Sequence, residues 1–123
     1  MKKQPDALEA LAQASKGLMM PSETEAPFEP FVWDASDLTP DMLLKLTHQP
    51  KGTAIEESSL NDLFATVPSE DKAKFQKLRQ AIQEQLSGVK VYKVGDEAER
   101  QVYIVGKAMD GRWTGLKTTV VET

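Results

Sequence analysis

The stretch QVYIVGKAMDGRWTGLKTTVV, residues 101–121, decides the fold. It contains two runs rich in Val, Ile, Thr, Tyr and Trp, whose branched or flat side chains fit a pleated surface. Asp110-Gly111 stands between the runs and signals a tight hairpin. Val102, Tyr103, Ile104 and Val105 are consecutive, so both faces of that strand are apolar. A sheet of this kind has to be covered on both sides, and helices are the usual cover. Just upstream, VKVYKVG at 89–95 shows the same composition, and GDEAER joins it to the next run. Strands at 89–95, 101–109 and 113–121 therefore read as an antiparallel meander.

Helices to cover the meander are visible before it. SEDKAKFQKLRQAIQEQLSG, residues 69–88, is the clearest. Ser69 reads as its cap, Glu70 and Asp71 suit the positive end of the dipole, and Gly88 reads as its stop. Phe75, Leu78, Ile82 and Leu86 form one buried stripe. Thr39-Pro40-Asp41 starts a second helix through Met42, Leu43, Leu44 and Leu46, closed by Pro50. A short strand includes Ala54 and Ile55, and Ser59 caps a brief helix through Leu60, Leu63 and Phe64. Residues 5–17 form a first helix, started by Pro5 and Asp6 and stopped by Gly17. Pro21, Pro27 and Pro30 bar a helix between, so residues 19–27 read as a loop carrying Glu23 and Glu25. Phe31, Val32 and Trp33 then read as a strand. The fold class is α+β: an α/β/α sandwich, in which helices cover both faces of a largely antiparallel sheet.

With 123 residues, the chain is expected to be one domain, 1–123. It has no Cys, so disulfides and thiolate chemistry are excluded and a reducing cytosol is the simplest compartment. The net charge of −4 disfavours direct nucleic-acid binding, which depends on neutralising phosphates. It favours a basic protein partner, because complementary fields speed encounter. Lys2 and Lys3 are followed by Asp6 and Glu9, not by an apolar signal region, and no run is long and apolar enough to span a membrane.

Catalytic chemistry is hard to assemble from these residues. His48 is the one histidine, with no nucleophile or orienting group beside it in sequence; a position favoured by a helix C-terminus explains it better. Glu56-Glu57 and Asp96-Glu97-Ala98-Glu99 offer hard-ion ligands. Strand neighbours point to opposite faces, which argues against joint use of Glu56 and Glu57. Neither a phosphate-binding glycine loop nor a nucleophile elbow is present. Buried packing is the first reading for Trp33 and Trp113, although Trp113 follows a turn and is expected to be partly exposed.

Two features stand apart. Pro21-Ser22-Glu23-Thr24-Glu25 is an acidic loop stiffened by proline, and stiff loops lose little entropy on docking. The last strand also runs directly into Glu122 and Thr123. A hydroxyl and a carboxylate held there by a sheet would be oxygen ligands of the type Mg²⁺ prefers.

Two blocks resemble the nuclease A inhibitor family, protein inhibitors of a sugar-nonspecific bacterial nuclease. One is LEALAQASKGLMMPSETEAPFEPFVWD, residues 8–34. The other is residues 73–123, with Ala73-Lys74-Phe75-Gln76-Lys77-Leu78, Val91-Tyr92, Val102-Tyr103 and the closing Val120-Val121-Glu122-Thr123. The resemblance implies an α/β/α sandwich that is not an enzyme and has no cofactor of its own. It further implies that the inhibitor plugs the active site of a nuclease and reaches that enzyme's Mg²⁺ through Glu23 and Thr123. Ser22, Glu25, Glu122 and Trp113 are the expected neighbours in the contact, and the free protein is expected to be a cytoplasmic monomer. Residues 35–72 depart from the family's pattern, which carries a longer acidic loop with a Trp ahead of the AKFQKL helix. The alternative reading is an interaction module of the same family with a non-nuclease target.

Overall fold

The computed structural model describes residues 7–21, 25–35, 37–65, 67–95 and 98–121. Its centre is the expected meander, β5 (Ser87–Val94), β6 (Glu99–Lys107) and β7 (Trp113–Val121). Two further strands complete a five-stranded antiparallel sheet. β3 (Glu29–Trp33) pairs with β7, and β4 (Ile55–Ser58) pairs with β5, giving the order β3-β7-β6-β5-β4. The hairpin between β6 and β7 turns through Met109, Asp110 and Gly111; Gly111 N donates to Ala108 O at 2.9 Å and Arg112 N to Asp110 Oδ1 at 2.9 Å.

Consecutive apolar residues in the strands feed two cores. On one face, Val91, Val102, Ile104, Leu116 and Val120 pack against Leu11, Leu60, Leu78 and Ile82. These come from α1 (Ala7–Ser15), α3 (Leu60–Phe64) and α4 (Lys72–Gln85). On the other face, Tyr92, Val94, Tyr103 and Val105 pack with Trp33 and with Leu43 and Leu44 of α2 (Pro40–Leu46). The sheet is thus sandwiched, as two-sided strands require. Leu78 and Ile82 are fully buried, and truncating either to Ala costs about 2–5 kcal/mol in a core of this kind. The aromatic residues of the second face stack together: Trp33 lies 5.4 Å from Tyr103 and 4.4 Å from Phe31, centroid to centroid.

Two short helices start as their sequences direct. Thr39 Oγ1 accepts from Met42 N and Ser59 Oγ accepts from Asp62 N, each at 3.2 Å. The end of α2 is less expected. His48 N donates to Lys45 O and Gln49 N to Leu44 O, closing the helix with His48 at φ 59. That paired pattern is the Schellman cap, and its left-handed residue is usually Gly or Asn. The single histidine is therefore a helix terminator, and its side chain is exposed.

Three expectations are corrected. Ser69 does not cap α4: residues Ser69–Asp71 form a 3-10 turn, and α4 begins at Lys72 with no side-chain cap. The main chain does this work, since Asp71 N donates to Pro68 O at 2.9 Å. Gly88 does not end the helix either. Leu86 is already extended at φ −125, and Gly88, at φ 62, belongs to β5. There Gly88 and Val89 face the single residue Gly106, because Ser87 pairs with Lys107 and Lys90 with Val105. This is a bulge of the glycine type. Finally, residues 19–27 are not loop throughout. β1 (Met19–Met20) and β2 (Ala26–Pro27) pair as a small antiparallel ladder, too short for any periodicity to reveal.

Candidate functional site

The β1–β2 hairpin sits where the chain direction requires. β3 pairs antiparallel with β7 from Trp33↔Trp113 to Glu29↔Lys117. Tracing backwards from Glu29, the chain advances along β7 towards its C-terminal end. β2 accordingly meets β7 beyond Lys117: Thr118 Oγ1 donates to Ala26 O at 3.4 Å, and both short strands touch β7. Phe28 and Met20 are buried in the same core as Val120. Met20 pairs with Ala26, so Pro21 and Glu25 stand at the mouth of the hairpin. The carboxylate-bearing Glu25 is exposed.

The end of β7 is held by its ladder with β6. Val120 pairs with Arg100 and Val121 with Glu99 across the β6–β7 ladder, and Val120 is buried. Arg100 adds a cation at this end: its Nη1 lies 3.3 Å from Glu56 Oε2. Arg100 Nε is buried and finds no partner among the described residues. Glu57, the strand neighbour of Glu56, pairs instead with Lys90 Nζ at 3.5 Å. The two adjacent glutamates thus serve separate partners.

Ser22, Glu23, Glu122 and Thr123 lie outside the described residues, as do Asp96 and Glu97. The described frame consists of the residues that lead to them: Pro21 and Glu25 on one side, Val121 on the other. Both belong to one end of the sheet, because β2 and the second half of β7 are in contact.

Trp113 is elsewhere. It opens β7, eight residues before Val121, which is about 26 Å along an extended strand. It is half-buried against the second core, with Lys107 Nζ 5.1 Å from its ring centroid. Its indole Nε1 is buried without a partner among the described residues. The structure does not bring Trp113 to the hairpin. Arg100 is the residue at this end that sequence reading missed; inside GDEAER it looked like loop charge, and only strand register sets it opposite Val120.

Ionisation is perturbed at two phenols. Burial pushes the Tyr103 hydroxyl above its ordinary value. Burial also raises Tyr92, with Lys90 opposing and Glu57 adding to the rise. Both phenols belong to the second core, not to the hairpin end. Among the described residues, no group of three or more His, Asp or Glu could hold a metal ion. No helix there is long and apolar enough to cross a membrane.

The chain matches the sequence profile of the nuclease A inhibitor-like protein family over residues 5–123, nearly its whole length. No curated protein matches it.

Proposed function

We propose that this chain, which belongs to the nuclease A inhibitor-like protein family, blocks the active site of a metal-dependent, sugar-nonspecific endonuclease by direct protein contact. The observation that carries the reading is the packing of the β1–β2 hairpin on the C-terminal half of β7. It ties the flanks of Ser22-Glu23-Thr24 to the strand that leads into Glu122-Thr123. In this reading, Glu23 and Thr123 contact the partner's Mg²⁺, while Ser22, Glu25 and Glu122 line the contact.

The physics runs from charge to fit. A nuclease cleft is cationic, because it binds phosphates, and its Mg²⁺ keeps exchangeable waters. Carboxylates on a stiff frame take the place of phosphate oxygens in that field. Ordering the hairpin by β pairing and by Pro21 and Pro27 lowers the entropy lost on docking. The chain's charge of −4 speeds encounter with a basic cleft and makes the rate fall with salt. The protein itself performs no catalysis, needs no cofactor, binds no nucleic acid directly, and acts as a cytoplasmic monomer of one domain until it meets its target.

The test is to titrate the protein into an assay of a purified sugar-nonspecific nuclease, alongside a Thr123 deletion and a version extended beyond Thr123. Loss of one charge-assisted contact weakens inhibition about tenfold or more. Both variants should lose inhibition to that extent with unchanged thermal unfolding. Full inhibition by both would eliminate the terminal contact. No inhibition by the parent, with capture of a different protein, would point to the non-nuclease target instead.

A further inference from the structure

The α3–α4 layer carries a second surface, lined by residues other than those of the β1–β2 hairpin. Two adjoining grooves of about 250 and 340 Å³ run between α3 and α4 and share Asn61 and Arg79. The first groove has an aromatic patch: Phe64 packs edge-on against buried Phe75, with centroids 5.2 Å apart, and is itself half-exposed. Their rim is polar. Lys72, Gln76, Arg79 and Gln83 recur at spacings of four, three and four along α4, so they form one stripe.

Charge sets this stripe apart. The chain has 19 acidic residues against 15 basic, yet among the described residues no carboxylate lines either groove, while Lys72 lines one and Arg79 both. Arg79 is half-buried and has no hydrogen bond or ion pair to any described residue. The two grooves adjoin and are open at the surface, which suits a chain segment better than an enclosed small molecule. The guanidinium of half-buried Arg79 is a ready partner for a carboxylate, which it binds through two parallel N–H donors.

We infer that the α3–α4 groove docks an acidic, amphipathic polypeptide segment. The apolar side chains of the segment rest on Phe64, and its carboxylates meet Arg79 and Lys72. This surface is independent of the β1–β2 hairpin, and its preference for an acidic partner is the opposite of what a cationic nuclease cleft demands. A protein with both surfaces could hold a second protein while its hairpin end is engaged.

The probe is a fluorescein-labelled peptide alternating Glu with Leu and Phe, followed by fluorescence polarisation, with a Lys-for-Glu peptide as control. The acidic peptide should bind saturably and the basic one should not. Arg79→Gln, which leaves the buried stripe of α4 intact, should weaken binding about tenfold, the loss of one charged contact. Amide shifts on binding should centre on Phe64, Gln76 and Arg79, and nuclease inhibition by Arg79→Gln should equal that of the parent. Absence of saturable binding, equal affinity for the two peptides, indifference to Arg79→Gln, or shifts centred on the hairpin would each overturn the inference.

Discussion

Replacing His48 by Gly should stabilise the protein, against the general rule that substitutions destabilise. His48 holds φ 59 at the end of α2, a conformation that costs a residue with a Cβ roughly 1–2 kcal/mol. Histidine is among the types that tolerate it best, so the lower half of that range applies. Its side chain is exposed, so few contacts are lost on removing it. Glycine gives back roughly 0.4–1 kcal/mol through its greater freedom in the unfolded chain. The net gain is roughly 0.5 kcal/mol, or a rise in Tm of about 2–3 °C for a domain of this size. Scanning calorimetry at fixed pH measures this directly. His48→Ala is the control: it removes the same imidazole but keeps the strained φ, so it should show no gain. A Tm for His48→Gly at or below that of His48→Ala would refute the account, since it would mean the imidazole has a stabilising role of its own. Inhibition should be unchanged in both variants, since the proposed contact is made at the β1–β2 hairpin end.

Gly115→Ala should cost about 3 kcal/mol or more, seen as a fall in the urea midpoint, because the new methyl would meet the carbonyl of Ile104 in the middle of the sheet. A loss below about 1 kcal/mol would show that the sheet yields easily there. Alkaline titration should follow the two phenols: with Tyr92 and Tyr103 raised above 10.0, native protein at pH 10 should show less than half of its tyrosines ionised by ultraviolet absorbance. Because the folded values exceed the unfolded ones, their contribution to stability is complete below pH 10 and is lost as pH climbs through the raised values. Unfolding midpoints should therefore decline on the alkaline side of pH 10, and a Tyr103→Phe variant should decline less.

The meander was legible because its signal is redundant. Composition, consecutive apolar residues and the Asp110-Gly111 turn all point the same way, and the register bears them out. Helix starts at Thr39 and Ser59 were legible for a local reason, since a hydroxyl reaches a donor three residues on. Gly88 misled because a left-handed glycine serves a helix end and a bulge equally well; what separates them is pairing with residues about 20 positions away, which no local window contains. Ser69 misled because Pro68 offers a main-chain acceptor that competes with the hydroxyl. At the candidate site, sequence could name Glu25 and the approach to Thr123 as acidic and oxygen-rich. It could not show that β2 lies on β7, because that contact joins residues 92 positions apart. Arg100 and Trp113 show the same limit: charge and aromaticity are visible in a string, but position along a strand is not.

The place of β7 between β3 and β6 has a consequence for how the protein comes into being. β3 is synthesised early, yet its only neighbour in the five-stranded sheet lies some 85 residues downstream. Until that strand emerges, β3 has no ladder and both layers of helices lack part of the floor they rest on. Assembly of the sheet must therefore wait for β7, and a product cut short before Trp113 lacks the strand that joins β3 to β6. The strand on which the proposed contact depends is thus the keystone of the arch, joining β3 to the rest of the sheet.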